Sequence, residues 1–254
     1  MAANAIVEAR AVSKSYDGTV EALADVDLAF SQGELSTLLG PSGCGKTTLL
    51  KIIAGLIPPS KGEVWVKGKK IDGPGAERAF VFQDFALLPW ANVLRNVAFG
   101  LELRGMPQEE REQIARKYIG EVGLTTFEKS YPHQLSGGMR QRVGLARAFA
   151  VDADIILMDE PFSSVDEQTR RKFQEEVLEL LRHKRKTVIF VTHSIEEAAY
   201  LSDTIVLLSP RPGRVSKVLR PRIEREGKNP DEIRRDKVYL DTVDEIWQML
   251  KRYV

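Results

Sequence analysis

Cysteine is almost missing from this chain: Cys44 stands alone in 254 residues. No internal disulfide can form, which fits a reducing compartment. A charge surplus is missing too. Lys and Arg number 37 against 36 Asp and Glu, so no global basic field speaks for nucleic acid, and no nucleic-acid partner is expected. No apolar run approaches the roughly 18–20 residues that cross a bilayer. The opening "MAANAIVEAR" lacks a basic stretch followed by an apolar one, so no secretory leader is expected. Internal repeats and low-complexity tracts are absent. These gaps point to the cytosol, with any membrane role reached through a partner. At this length the chain can bury roughly 70–75% of its unfolded surface.

What the sequence does contain is alternation of strands and helices. "IVEARAVSKSY", "EALADVDLAF" and "GEVWVKGKKI" alternate partly and are separated by turn residues, so they read as strands. "RAFVFQ", "DIILMDE", "TVIFVTH" and "TIVLLS" read as buried strands. Between them lie helical patterns: "DEQTRRKFQEEVLELLRHK", "SIEEAAYLS" and a middle segment from about 92 to 128. In that segment Pro107 suits a first helical turn and Gly123 a helix end. Apolar strands alternating with helices imply an α/β fold with a parallel sheet covered on both faces. Past 220 the chain is charged, and "DTVDEIWQMLKRYV" puts Val243, Ile246, Trp247 and Leu250 on one helical face.

"GPSGCGKT" follows a strand and opens a helix, and it fits G-x-x-x-x-G-K-[ST]. Gly40, Gly43 and Gly45, with Pro41 and Ser42 between them, let the loop curl so that backbone N–H groups face phosphate oxygens. The helix adds its positive end. Lys46 reaches the β- and γ-phosphates, and Thr47 offers a hydroxyl to Mg²⁺. Cys44 reads as a small side chain in a crowded loop. In "IILMDEP" an apolar strand ends in two carboxylates, aimed at the crevice where such sheets bind ligands. Asp159 is placed to hold Mg²⁺ through water, and Glu160 to polarise an attacking water. These parts serve a nucleoside-triphosphate hydrolase and a kinase equally. "LSGGMRQR" separates the two. Glycine weakens a helix, yet Gly137 and Gly138 open one, behind the hydroxyl of Ser136. Such a turn is a second phosphate site, and a second site beside one nucleotide implies another copy of the chain.

Nearly the whole chain resembles the ATP-binding subunit of ABC transporters, with the motifs in that family's order. "GPSGCGKTT", which includes Thr48, resembles its phosphate loop, "LSGGMRQ" its signature and "IILMDE" its acidic strand. The resemblance implies that Tyr16 stacks on adenine, that Gln83 in "VFQD" senses Mg²⁺ and the γ-phosphate, and that His193 in "VTH" contacts the γ-phosphate. It implies that Asp166 in "SSVD" crosses a dimer interface. Ser164 and Val165 stand where the family has Ala and Leu. The implied architecture is a P-loop core with a mainly parallel sheet, an N-terminal antiparallel β-subdomain and a helical subdomain at about 88–150. The ATPase domain would span 1–219, followed by a short charged extension at 220–254. ATP and Mg²⁺ are the implied cofactors, and the catalytic set is Glu160, His193, Gln83 and Lys46.

"FQDFALLPWANVLRNVAFGLELRG" and "LSPRPGRVSKVL" are similar to the nitrate, sulfonate and taurine importer group. That implies a homodimer enclosing two ATP sites, peripheral on the cytoplasmic face of the membrane. A permease subunit would dock near Phe85 to Trp90, and a solute-binding protein would act indirectly. The alternative is a soluble ABC-type ATPase without transport. One compact cassette with no long coiled-coil insertion favours the importer.

Overall fold

Four short runs, "LSTLL", "IILMD", "TVIFV" and "TIVLL", show no polar–apolar alternation. A strand covered on both faces needs none. In the computed structural model, which describes residues 5–225 and 227–253 apart from the side chains of Glu167 and Gln168, all four are strands buried at every residue. Residues 1–4, the start of the stretch read above as lacking a leader, lie outside that description.

Along the chain come β1 (Ala5–Tyr16), β2 (Val20–Ser31), β3 (Leu35–Leu39), α1 (Lys46–Ala54), β4 (Lys61–Val66), β5 (Lys69–Lys70) and β6 (Arg78–Val81). The middle segment forms α2 (Val93–Leu103) and α3 (Gln108–Glu121), and α4 (Gly137–Ala150) follows it. Then follow β7 (Ile155–Asp159), α5 (Glu167–His183), β8 (Thr187–Val191), α6 (Ile195–Leu201), β9 (Thr204–Leu208) and β10 (Val215–Leu219). Two helices close the chain, α7 (Pro230–Arg235) and α8 (Lys237–Leu250). No helix among the described residues is long and apolar enough to cross a membrane.

The chain divides into two compact units, one of residues up to 75 with those from 180 onward, the other of 76–179. The first unit holds an antiparallel sheet in the order β2-β1-β4-β5, with Ala5 opposite Ser31 and Val7 opposite Val66. It also holds β3 between two parallel neighbours, Leu35 beside Val188 of β8 and Ser36 beside Thr204 of β9. The hairpin strand β10 runs antiparallel to β9. The second unit holds β6 parallel to β7, Arg78 beside Ile155, together with the packed helices α2, α3 and α4. The parallel strands and the N-terminal antiparallel sheet expected from the alternation and the resemblance are both present.

Helix ends follow the residues that satisfy them. Asn92 caps α2 by accepting from the Arg95 N–H at 2.9 Å, and α3 carries Glu109 and Glu110 in its first turn, where the helix dipole favours acids. The tail differs in one respect from its pattern. On α8 the buried residues are Tyr239, Thr242 and Ile246, while Trp247 is 57% exposed. Trp247 lies 100° around the helix from Ile246. The packed face is therefore narrower than the apolar arc of the sequence, and the indole is left outside it.

Candidate functional site

In the first unit, β3 delivers the chain into the loop 40–47, and α1 takes it away. Lys46 is 7% exposed. Its ammonium lies inside the loop, donating to the carbonyls of Gly40 at 2.8 Å and Pro41 at 2.9 Å, with the Cys44 Sγ at 3.8 Å. Cys44 itself is 1% exposed. Burial pushes its thiol above the usual range, and the Lys46 ammonium offsets that only in part.

The first turn of α1 tests whether the loop suits a triphosphate. Its N-cap, Gly45, has no side chain to bond the free N–H groups, and the turn carries no acid. The caps of α2, α4, α6, α7 and α8 all supply a side-chain acceptor. An uncapped helix start with a lysine folded against it suits an anion with several oxygens. The half-buried Thr47 hydroxyl lies on the same turn. Tyr16, at the end of β1, is brought to this turn too, its hydroxyl 3.3 Å from Thr48 Oγ1. Lys14 Nζ lies 5.3 Å from the centre of the Tyr16 ring.

The sequence reading missed what holds this loop up. Gly45 has φ +96°, and a Cβ there would lie 2.8 Å from the Ala22 carbonyl oxygen. A Cβ on Gly213 would lie 2.0 Å from the Cys44 carbonyl oxygen. Gly213 also donates to Ala22 O at 2.9 Å and accepts from the Ala24 N–H at 3.1 Å. A bare backbone at 213 therefore lets β2, the 209–214 turn and the loop press together. Its only trace in the sequence is the Pro-Gly pair in "RPGRV". His193, also in this unit, follows β8 and is exposed.

In the second unit β7 ends in Asp159, 4% exposed. The next residue, Glu160, has φ +47°, a conformation that non-glycine residues adopt only where surroundings impose it. Ser163 imposes it here, its N–H and hydroxyl both donating to the Glu160 carbonyl at 3.2 and 3.0 Å. The Glu160 side chain has a partner from the segment just after another strand, β6. It meets Gln83, whose Nε2 donates to Oε2 at 3.2 Å. The structure thus pairs two of the residues singled out from the sequence, 77 positions apart.

Beyond Gln83 the chain is irregular, and Phe85 and Ala86 have φ of +65° and +43°. Two residues that drew no attention in the sequence hold it. Arg147 of α4 donates to the Phe85 and Ala86 carbonyls at 2.8 and 2.7 Å, and burial lowers its pKa. The fully buried Asn96 accepts from the Leu88 N–H at 2.8 Å and donates to the carbonyls of Leu88, Ala91 and Asn92. The signal for Arg147 is a lone charge in the apolar run "GLARAFA". Past this loop Trp90 is 70% exposed. It edges a groove of about 430 Å³ that Asn92, Arg95, Glu102, Arg111 and Tyr131 also line.

Ser136 caps α4 by accepting from the Met139 N–H at 3.3 Å. A Cβ on Gly137 would sit 3.2 Å from the Ser164 carbonyl oxygen and one on Gly138 3.9 Å from Val165. The chain's own 163–166 segment therefore crowds a side chain at 137 but leaves ordinary contact distance for one at 138. Ser164 Oγ is buried without a hydrogen-bond partner among the described residues. Asp166 accepts from the Thr169 N–H at 3.0 Å, at the start of α5.

Comparison with known proteins agrees with this geometry. The family model described as ABC transporter matches residues 23–163. An uncharacterised ABC transporter ATP-binding protein of Methanocaldococcus jannaschii is 54% identical over 81% of this chain and 77% of its own length. A taurine import ATP-binding protein of Pseudomonas putida is 50% identical over 83% of this chain and 81% of its own. A solved dimeric bacterial ABC transporter cassette superposes with TM-score 0.77 at 33% identity, covering 84% of this chain and 98% of its own. The same cassette, solved as a dimer in a post-hydrolysis state with ADP and phosphate, gives 0.76 at 34%. The chain belongs to the ABC transporter family, as an ATP-binding and ATP-hydrolysing subunit.

Proposed function

We propose that this subunit energises import of a small sulfonate or related oxyanion, taurine being the solute its relatives' names indicate. The 40–47 loop holds the triphosphate, with Lys46 on the β- and γ-phosphates and the backbone N–H groups from Gly40 to Thr48 around them. Thr47 and Asp159 are the donors for magnesium, with Gln83 as its sensor. When bound, that ion offsets phosphate charge in the transition state. Glu160 accepts the proton of the attacking water, and His193 steadies the γ-phosphate. Tyr16 stacks on the base. Ser136, Gly137 and Gly138 meet the γ-phosphate of a second copy's nucleotide, near the Asp166 segment.

One observation carries the coupling part of this reading. Gln83 bonds Glu160 at 3.2 Å, and seven residues further on, across a loop pinned by Arg147 and Asn96, the exposed Trp90 edges a groove. A change at the hydrolytic carboxylate is thereby tied to a surface that fits a short partner helix. The occupant is a helix of the membrane permease, on the cytoplasmic face, and a solute-binding protein delivers the solute to that permease.

The experiment pairs two measurements on Trp90→Ala. Hydrolysis by the purified chain is expected to stay within about twofold of the parent, since the indole has no assigned role in the nucleotide site. Co-purification with its permease partner is expected to fall by tenfold or more, as truncating a buried aromatic anchor costs about 2 kcal/mol. Full co-purification with hydrolysis lost would place Trp90 in the ATPase machinery and the docking face elsewhere. Uptake by the reconstituted complex, tested with taurine against nitrate, decides the solute.

A further inference from the structure

Residues beyond 220 play no part in the scheme above, yet three separate pieces of them converge on one short helix of the same unit. The side chain of Arg225 is 6% exposed. Its guanidinium donates to the carbonyls of Tyr200 at 3.0 Å, Ser202 at 2.8 Å and Ala199 at 3.4 Å. These lie at the end of α6, where helix geometry leaves carbonyls without an internal partner. Asp203 lies 3.6 Å from the same guanidinium and balances its charge. From α7, the Arg234 guanidinium sits 4.2 Å over the Tyr200 ring. From α8, the fully buried Ile246 joins the cluster of Ala198, Leu39, Ile205, Leu207 and Leu219. A seven-residue helix does not persist without such packing.

The other end of α6 is tied to the segment that holds His193. Ser194 caps the helix, accepting from the Glu197 N–H at 3.2 Å. The Thr192 hydroxyl accepts from the Ser194 N–H at 3.0 Å and donates to the Glu197 carboxylate. His193 sits between these two anchored residues. Its imidazole therefore goes where α6 goes, and α6 goes where the tail holds it.

We infer that residues 220–254 are a brace that positions His193 through α6, with Arg225 as the principal positioning residue. The inference rests on the reading of His193 as the γ-phosphate contact. Because α6 spans only about 10 Å, freeing its last turn displaces its first. A displacement near 1 Å at a reacting group costs up to about a hundredfold in rate. The partners of Arg225 lie at the end of α6 and at Asp203, outside the 40–47 loop, so ATP affinity is expected to hold when Arg225 is changed.

The test uses the purified full-length chain with ATP and magnesium. Arg225→Ala is expected to lower kcat at least tenfold while KM for ATP moves less than twofold, and Arg225→Lys, which keeps a donor, recovers part of the loss. The chain has three histidines, so the His193 imidazole is resolvable by NMR. Its resonance is expected to shift in Arg225→Ala while that of His133 does not. On a His193→Ala background, Arg225→Ala should cause no further loss, since both act on one interaction. If His193→Ala leaves kcat unchanged, the reading of His193 fails. If His193→Ala lowers kcat but Arg225→Ala has no effect, or an undiminished one on that background, the brace fails. Should Arg225→Ala be insoluble, Arg234→Ala, which removes the contact over the Tyr200 ring of α6, takes its place, and insolubility of both overturns the proposal by making the tail a matter of folding alone.

Discussion

Glu160 combines two features that separate it from an ordinary surface carboxylate: a left-handed backbone imposed by Ser163 and a bond from Gln83. Glu160→Gln keeps the shape and removes the proposed base. Its turnover, measured as phosphate release, is expected to fall by about 10²–10⁴, the usual range for a positioned base, with ATP binding retained. Cys44 is the opposite case, a reactive residue type in an unreactive place. It is 1% exposed, and burial raises its pKa. The folded chain holds the thiol proton more tightly than the unfolded chain does. The stabilisation linked to that proton is complete below the unfolded thiol's pKa and is lost as pH rises through the raised folded value. Since the thiolate is the nucleophile, an aromatic disulfide reagent at pH 8 should react far more slowly with native protein than with protein in denaturant. Equal rates would mean that the loop opens freely.

Among the elements, α4 serves two ends at once. Its first turn, Gly137 and Gly138, lies against the 163–166 segment, and its last turn carries Arg147, which holds the loop after Gln83. Arg147→Ala removes two hydrogen bonds from a charged donor, each worth about 1.5–3 kcal/mol when buried and less where water reaches. The expected result is a chain about 2 kcal/mol less stable to urea. Hydrogen exchange should rise at residues 85–91 and stay unchanged in β3 and β9. Exchange that stays slow at 85–91 would show that Asn96 alone suffices. Neither role of α4 is visible in its amphipathic pattern, which reports only which side is apolar.

For the whole molecule, the question is how one chain becomes a transporter's engine. One related cassette is a dimer in two solved structures. Two turns proposed to bind phosphate in one chain, at 40–47 and 136–138, suit a dimer whose filling is nucleotide. Glu160→Gln with ATP should therefore sediment as a dimer, while the same protein without nucleotide should be mainly monomeric. Removing magnesium with a chelator should stop hydrolysis in the parent. A size that does not change with ATP would contradict nucleotide-driven pairing.

The sequence by itself determined which chemistry the chain carries. "GPSGCGKT", "IILMDE" and "LSGGMRQ" are local in their physics: a loop, a strand end and a helix start each act through neighbours a few residues away. The buried strands were legible for the same reason, since a run such as "TVIFV" has one stable environment. Tertiary structure alone decided what long-range contact decides. It set Glu160 against Gln83, Gly213 under the phosphate loop, Arg147 and Asn96 around the loop after Gln83, and Arg225 at the end of α6. It also chose Ile246 over Trp247 as the packed residue of α8. Each of these depends on a backbone carbonyl or a packing partner remote in the chain, and a carbonyl has no letter in a sequence.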